Sequence, residues 1–296
     1  MADKTAIEWT DATWNPISGC SKVSPGCAYC YAERVSARFG RTALPWIPAN
    51  AEANVVLHPD RLDQPLRWRR PRRIFVNSMS DLFHELVPDA FIARVFAVMA
   101  AARDHTFQVL TKRPERMRDL LASEDFEVAV DCALAALAEE RGWVCLSELD
   151  AWPLPNVWLG VSAENQHWAD QRIPLLLDTP AAVRFVSAEP LLGPLDLVPY
   201  LEPTFAADDW RSRRPGSCAL DWVIVGGESG GPLQRRLVRS SGRDLGWVRS
   251  IRDQCEAFGV AHLFKQWGGP VPTSQGRELD GRTWDEYPAA AAAVPA

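Results

Sequence analysis

From residue 73 onward, short apolar runs alternate with longer stretches of helical spacing, and this alternation restricts the chain to few architectures. The runs are Arg73–Asn77 (RIFVN), Thr106–Leu110 (TFQVL), Val157–Val161 (VWLGV), Val183–Val186 (VRFV), Trp222–Val225 (WVIV) and His262–Phe264 (HLF). Each is continuous, rich in β-branched and aromatic residues, and ends in polar or small residues, as strands buried on both faces do. Between them, Pro88–Arg103 carries Phe91, Ile92, Val95, Phe96 and Met99 on one helical stripe, with Pro88 and Asp89 suited to a helix start. Asn165–Leu177 and Asp244–Phe258 read as further helices, the second stopped by Gly259. The gap from Arg113 to Pro155 has to hold two helices, one of them Glu127–Arg141.

This order predicts an α/β fold with a parallel sheet, either doubly wound or closed into a barrel. Seven βα units, counting a short strand near Thr13–Ile17, favour a full or partial (β/α) barrel. The length of 296 residues suits one such domain over residues 1–287. Within it, about 199–218, with Glu202, Asp208, Asp209 and the arginines at 211–214, reads as an inserted loop, and the Pro/Ala tail 288–296 as disordered.

Apolar residues make up 47% of the chain, enough to build a core, and no run approaches a membrane span. The first ten residues carry Asp3 and Glu8 and no signal-peptide pattern, and seven cysteines, an odd number in a long chain, do not suit a secreted disulfide scaffold, so a reducing, cytoplasmic compartment is expected. The 13 tryptophans are expected to pack barrel and helices, with Trp14 and Trp267 bordering a site. A net charge of −6 argues against a surface that coats nucleic acid, though not against a local basic site. Arg67–Arg73 holds five arginines among seven residues around Trp68, but it precedes a strand and so falls at the end opposite a site on the strand termini.

In parallel βα folds ligands sit at the carboxyl ends of the strands. The successive strands are followed by Asn77, Ser78, Ser80 and Asp81; by Thr111, Lys112 and Arg113; by Ser162, Glu164 and Asn165; by Ser187 and Glu189; by Gly226, Gly227, Glu228 and Ser229; and by Lys265, Gln266 and Trp267. Helix capping accounts for Ser80, Asp81 and Ser162, but Lys112, Glu189 and Lys265 are not favoured caps. A rim binding a small molecule of both charges accounts for them better. Lys112, Glu189, Glu228 and Lys265 are the candidates for substrate contact or proton transfer, the competing reading of each being a charge pair within the barrel mouth. Tyr29, Ser78, Ser80, Asp81, Ser162, Glu164, Ser187, Gly226 and Gly227 are the candidates for cofactor binding. GGESGG (226–231) is a weak nucleotide fingerprint, because Glu228 stands where a phosphate loop needs glycine. His84 is the one histidine expected at the rim.

The most specific feature is Cys20, Cys27 and Cys30, spaced C-x6-C-x2-C on a loop with Pro25-Gly26 that leads into a helix over Tyr31–Phe39. Three thiols at this density suit one metal centre. Zinc needs a fourth N or S ligand from far along the chain, such as His58 or His84. A [4Fe–4S] cluster held by three cysteines leaves one iron open for chemistry. Cys132, Cys145, Cys218 and Cys255 are expected to be buried bystanders.

The loop with Ala28-Tyr29-Cys30, in a parallel βα chain, resembles the radical S-adenosylmethionine enzymes. More closely, WNPISGCSKVSPGCAYCYAE, FVNSMSDLFHE, FQVLTKRPERM, NVWLGVSAENQ, RFVSAEPLLGPLDL, DWVIVGGESGG and FKQWGG resemble the phage-associated three-cysteine-motif family, from about Trp9 to Tyr287. The resemblance implies a barrel of the radical-SAM type in which Cys20, Cys27 and Cys30 bind a [4Fe–4S] cluster and S-adenosylmethionine chelates the fourth iron. It implies an electron donor and a 5′-deoxyadenosyl radical that abstracts hydrogen from a substrate. The first cysteine gap is six residues where three is usual. Asn77–Asp81 ends the second strand where a GGE motif is usual, making Asp81 or Ser78 the expected partner of the methionine amine. A nucleic acid or nucleotide substrate is compatible with Lys112, Arg113, Arg235, Arg236 and Arg239 near the rim. The competing expectation is a zinc- or cluster-stabilised nucleic-acid-binding or repair-associated protein without radical chemistry.

Overall fold

The computed structural model describes residues 5–42, 44–143, 149–202, 219–229, 232, 235–237, 246–271 and 274–289. Strands β1 (Ala12–Trp14) and β2 (Ile17–Ser18) precede the cysteine loop and helix α1 (Tyr31–Arg38), and α2 (Ala51–Asn54) leads into β3 (Val56–Leu57). The chain then runs β4 (Arg73–Val76), α3 (Asp89–Ala101), β5 (Thr106–Thr111), α4 (Pro114–Leu121), α5 (Glu124–Arg141), β6 (Val157–Ser162) and α6 (Gln166–Leu177). It ends with β7 (Val183–Ala188), α7 (Val198–Leu201), β8 (Trp222–Gly226), α8 (Trp247–Phe258) and β9 (Ala261–Gln266).

Seven strands form one parallel sheet in the order β1-β4-β5-β6-β7-β8-β9. In such a sequential order every crossover steps the same way, and right-handed crossovers then place the helices on one face while the other face curls inward. β1 and β9 do not pair, so the barrel is partial. The strand expected over Thr13–Ile17 is two pieces: β1 joins the sheet, and β2 pairs antiparallel with β3. Pro16 between them lacks the N–H a continuous ladder would need.

Alternate residues of the strands feed two separate cores. Ile74, Val76, Phe107, Val109, Leu159, Val186, Val223 and Phe264 face the helices. Their neighbours Trp158, Val183, Phe185, Trp222, Ile224 and Leu263 face inward, where Trp9 packs on them. Trp9 lies 4.6 Å from Phe75 and 6.2 Å from Trp222, ring centroid to centroid, so aromatic side chains fill the floor of the barrel. Gly160 makes room there: a Cβ on it would stand 2.5 Å from the Phe185 ring.

Helix ends follow local chemistry. Asn165 caps α6 by accepting the Trp168 N–H, and Gly259 ends α8 in the left-handed conformation at φ +66°. Most of the expected insertion (203–218) and tail (290–296) lie outside the described residues, as do Arg239, Cys145 and Cys218. The start of the expected insertion is the helical turn α7. Cys255 is buried as expected, whereas Cys132 is exposed on α5. Arg67 and Arg73 of the arginine-rich run pair with Asp63 and Asp11, near the amino end of β4. Among the described residues no helix is long and apolar enough to cross a membrane.

Candidate active site

The cysteine loop is docked from several sides. Gly19 enters it at φ +82°, where a Cβ would run into the Asn54 carbonyl, and its N–H donates to Met79 O at 3.1 Å. Lys22 pairs with Glu33 at 2.7 Å, and its N–H donates to Trp46 O at 3.0 Å. Cys20 and Cys30 pack against Ala32, Trp46 and Met79. On the far side, the Gly26 N–H donates to the Glu164 carboxylate at 3.0 Å, and Arg235 donates to Pro25 O at 2.9 Å. All three thiols line one cavity of about 540 Å³ at the carboxyl ends of the strands.

The same cavity is lined by Tyr29, Ser78, Ser80, Asp81, Lys112, Ser162, Ser187, Glu189, Gly227, Glu228 and Lys265. Strand parity explains the convergence: Ser162, Ser187 and Lys265 continue the inward rows of Trp158, Phe185 and Leu263. Two of the expected cofactor contacts do not line it. Gly226 lies behind Glu189, whose Cδ a Cβ there would approach to 3.0 Å. Glu164 is fully buried, paired with Arg172 at 3.0 Å, and anchors the cysteine loop. His84 is buried beneath the loop rather than at the rim, with Nε2 2.9 Å from Ser21 Oγ and Nδ1 accepting the Leu86 N–H. That acceptor role puts the proton on Nε2, so the ring donates to Ser21 and is not a base for it. Trp14 and Trp267 do not line the cavity; Trp9 and Trp46 do.

Several charges are already matched. Lys265 Nζ lies 2.6 Å from Glu189, and although burial pulls the ammonium down, the carboxylate outweighs it and holds the pKa above its ordinary value. Glu228 holds Arg235 through two bonds of 2.7 Å, and that guanidinium lies 5.2 Å from the Tyr29 ring centroid. Asp81 accepts from Thr111 Oγ1 at 2.7 Å, from the Lys112 N–H at 3.0 Å, and from Phe83 N and Arg113. It therefore ties two strand ends together and has little capacity left for an amine. Lys112 differs: its Nζ donates to Ser162 Oγ at 3.0 Å, and among the described residues it has no carboxylate partner. Burial pushes the Cys20 thiol up to about 12, despite Arg113 Nη1 3.5 Å from the sulfur, and burial raises Cys30 as well. Among the described residues no three His, Cys, Asp or Glu side chains converge closely enough to hold a single metal ion.

The sequence profile of a family described as protein of unknown function (DUF5131) matches residues 4–288. The chain belongs to this family. No curated protein and no solved structure matches it. For this DUF5131 member the site therefore rests on its own geometry.

Arg113 and Asn77, both named at strand ends, and Glu8, which was not expected at the rim, complete the cavity wall. Arg113 lines the cavity and bridges Cys20, Asp81, Glu85 and Ser21. Asn77 lines it at φ +60°, 2% exposed, with neither side-chain oxygen nor nitrogen hydrogen-bonded. Glu8 lines it with a buried, unpartnered Oε2. The first two stand at strand ends, so their position was a usable signal. Glu8 lies before the first strand, and nothing in its surroundings in the sequence marks it.

Proposed function

We propose that this protein is an iron–sulfur enzyme whose cavity is a reaction chamber, with Cys20, Cys27 and Cys30 holding a [4Fe–4S] cluster on one wall. The observation that carries the reading is that three thiols of one docked loop face the same cavity as the strand-end polar residues of a partial βα barrel. Cys20, Cys27 and Cys30 would hold the cluster, and with S-adenosylmethionine and an external one-electron reductant it would supply cleavage of a sulfur–carbon bond, to methionine and a carbon radical able to take hydrogen from a substrate.

The chain's own residues have distinct roles in this reading. Loading a metal centre on Cys20 releases a proton, since a thiol raised to about 12 is protonated at neutral pH. Arg113, 3.5 Å from that sulfur, stabilises the resulting thiolate. Glu164 and Arg235 hold the loop against β6 and the segment after β8. Lys112 is the cation left to meet an anionic group of a ligand, while Asn77 and Glu8 offer unused hydrogen-bonding atoms. The aromatic floor beneath excludes water from the barrel interior.

Anaerobic reconstitution with iron and sulfide, followed by iron analysis, visible absorption and EPR, tests the cluster. Wild type is expected to take up about four irons per chain, and Cys27→Ala far fewer. Equal iron in both removes the cluster reading. A cluster that forms without yielding 5′-deoxyadenosine from S-adenosylmethionine and reductant removes the radical step alone.

A further inference from the structure

The cavity opens beside α1, and the face of this helix at the opening is basic and aromatic. Tyr31, Arg34 and Arg38 recur at i, i+3 and i+7, so they form one exposed stripe. Tyr31, 54% exposed, lines the cavity, and Arg34 donates at 3.2 Å to the carbonyl of Ser229, another lining residue. Just past the helix, Phe39 is 63% exposed, with the guanidinium carbons of Arg38 and Arg41 5.8 and 5.7 Å from its ring centroid. Among the described residues none of these three arginines has a carboxylate partner. By contrast, Arg249 and Arg252 share Asp280, and the whole chain carries a net charge of −6.

We propose that this face binds single-stranded nucleic acid, laid along α1 with one nucleotide entering the cavity. Unpaired guanidinium groups match phosphates, and an exposed ring flanked by two of them is a stacking platform for a base. Tyr31 belongs to both the stripe and the cavity wall, which fits a polymer with one unit inside and its neighbours outside. A paired duplex cannot present a base to such a cavity without unstacking it. Inside, the free amide of Asn77 offers the donor and acceptor that a base edge needs, and Lys112 offers a charge for its phosphate. The inference rests on reading the cavity as the place of reaction.

The test is fluorescence anisotropy of a labelled single-stranded oligonucleotide of about 15 nucleotides, DNA and RNA, and of the matching duplex, against the full chain before and after iron–sulfide reconstitution. Expected is salt-sensitive binding of the single strand, with the duplex at least about tenfold weaker. Combined Arg34→Ala, Arg38→Ala and Arg41→Ala is expected to weaken binding about tenfold or more, and to lower the log–log salt slope by about 0.7 per lost phosphate contact. Phe39→Ala weakens it with the salt slope unchanged. These side chains are exposed, so circular dichroism should match wild type. A halogenated oligonucleotide is expected to crosslink to Tyr29, Tyr31 or Phe39. No single-strand binding, equal binding by the triple variant, or a duplex bound as tightly overturns the proposal. The cluster reading fails separately, because iron content reports the cysteines and anisotropy reports α1.

Discussion

Replacing Glu164 with Gln tests whether the cysteine loop is positioned by one buried carboxylate. Glu164 is completely buried, pairs with Arg172 at 3.0 Å, and accepts the Gly26 N–H at 3.0 Å. Glutamine keeps the shape but removes the charge, leaving the Arg172 guanidinium, itself 2% exposed, without its counter-ion. Removing one partner of such a buried pair costs about 3 to 5 kcal/mol. At the lower end this lowers the melting temperature by about 5 °C in a chain of this size. The variant should also lose iron after gel filtration faster than wild type, because Gly26 sits within the cysteine loop. Urea unfolding and iron analysis measure the two effects.

The pH dependence gives a second handle. Burial pushes the Glu164 carboxyl up, but the Ser24 hydroxyl, Arg172 and the Gly26 N–H outweigh it, and its pKa lies below the ordinary value. A carboxylate lowered on folding contributes stability above its unfolded pKa and loses it as pH falls through the folded one. The gap between wild type and Glu164→Gln is therefore full at pH 7 and narrows as the pH drops below about 4. Combining Glu164→Gln with Arg172→Met should cost less than Glu164→Gln alone, since no uncompensated charge remains. A single variant within about 0.5 kcal/mol of wild type and with wild-type iron content would refute the reasoning.

Two further outcomes follow from the core. His262 is fully buried with neither ring nitrogen hydrogen-bonded, and burial pushes its pKa from 6.5 down to about 4. Its neutral form stabilises the fold fully above pH 6.5, and about 3 kcal/mol is lost as pH falls to 4; His262→Phe should abolish that part of the acid sensitivity in urea titrations at pH 7 and 4.5. Gly160→Ala should destabilise by about 1 to 3 kcal/mol, because its Cβ meets the Phe185 ring in a filled aromatic layer; unfolding midpoints equal to wild type would show that the layer has slack.

Much of the architecture is legible without coordinates. The apolar runs mark six of the seven strands to within a few residues, because strands buried on both faces leave no choice but continuous β-branched and aromatic residues. The crossover helices follow from apolar spacing and from Asn165 and Gly259 at their ends. The cysteine spacing and strand-end polar residues likewise place most of the cavity wall, since a parallel βα fold brings all those ends to one rim. What the tertiary structure alone decided is which of these groups are free. Glu189 with Lys265, Glu228 with Arg235 and Glu164 with Arg172 are matched through sheet register, inward parity and loop docking, which no local pattern encodes. The same long-range packing leaves Lys112 without a carboxylate among the described residues, buries His84 under the cysteine loop, and brings Glu8, from before the first strand, onto the cavity wall.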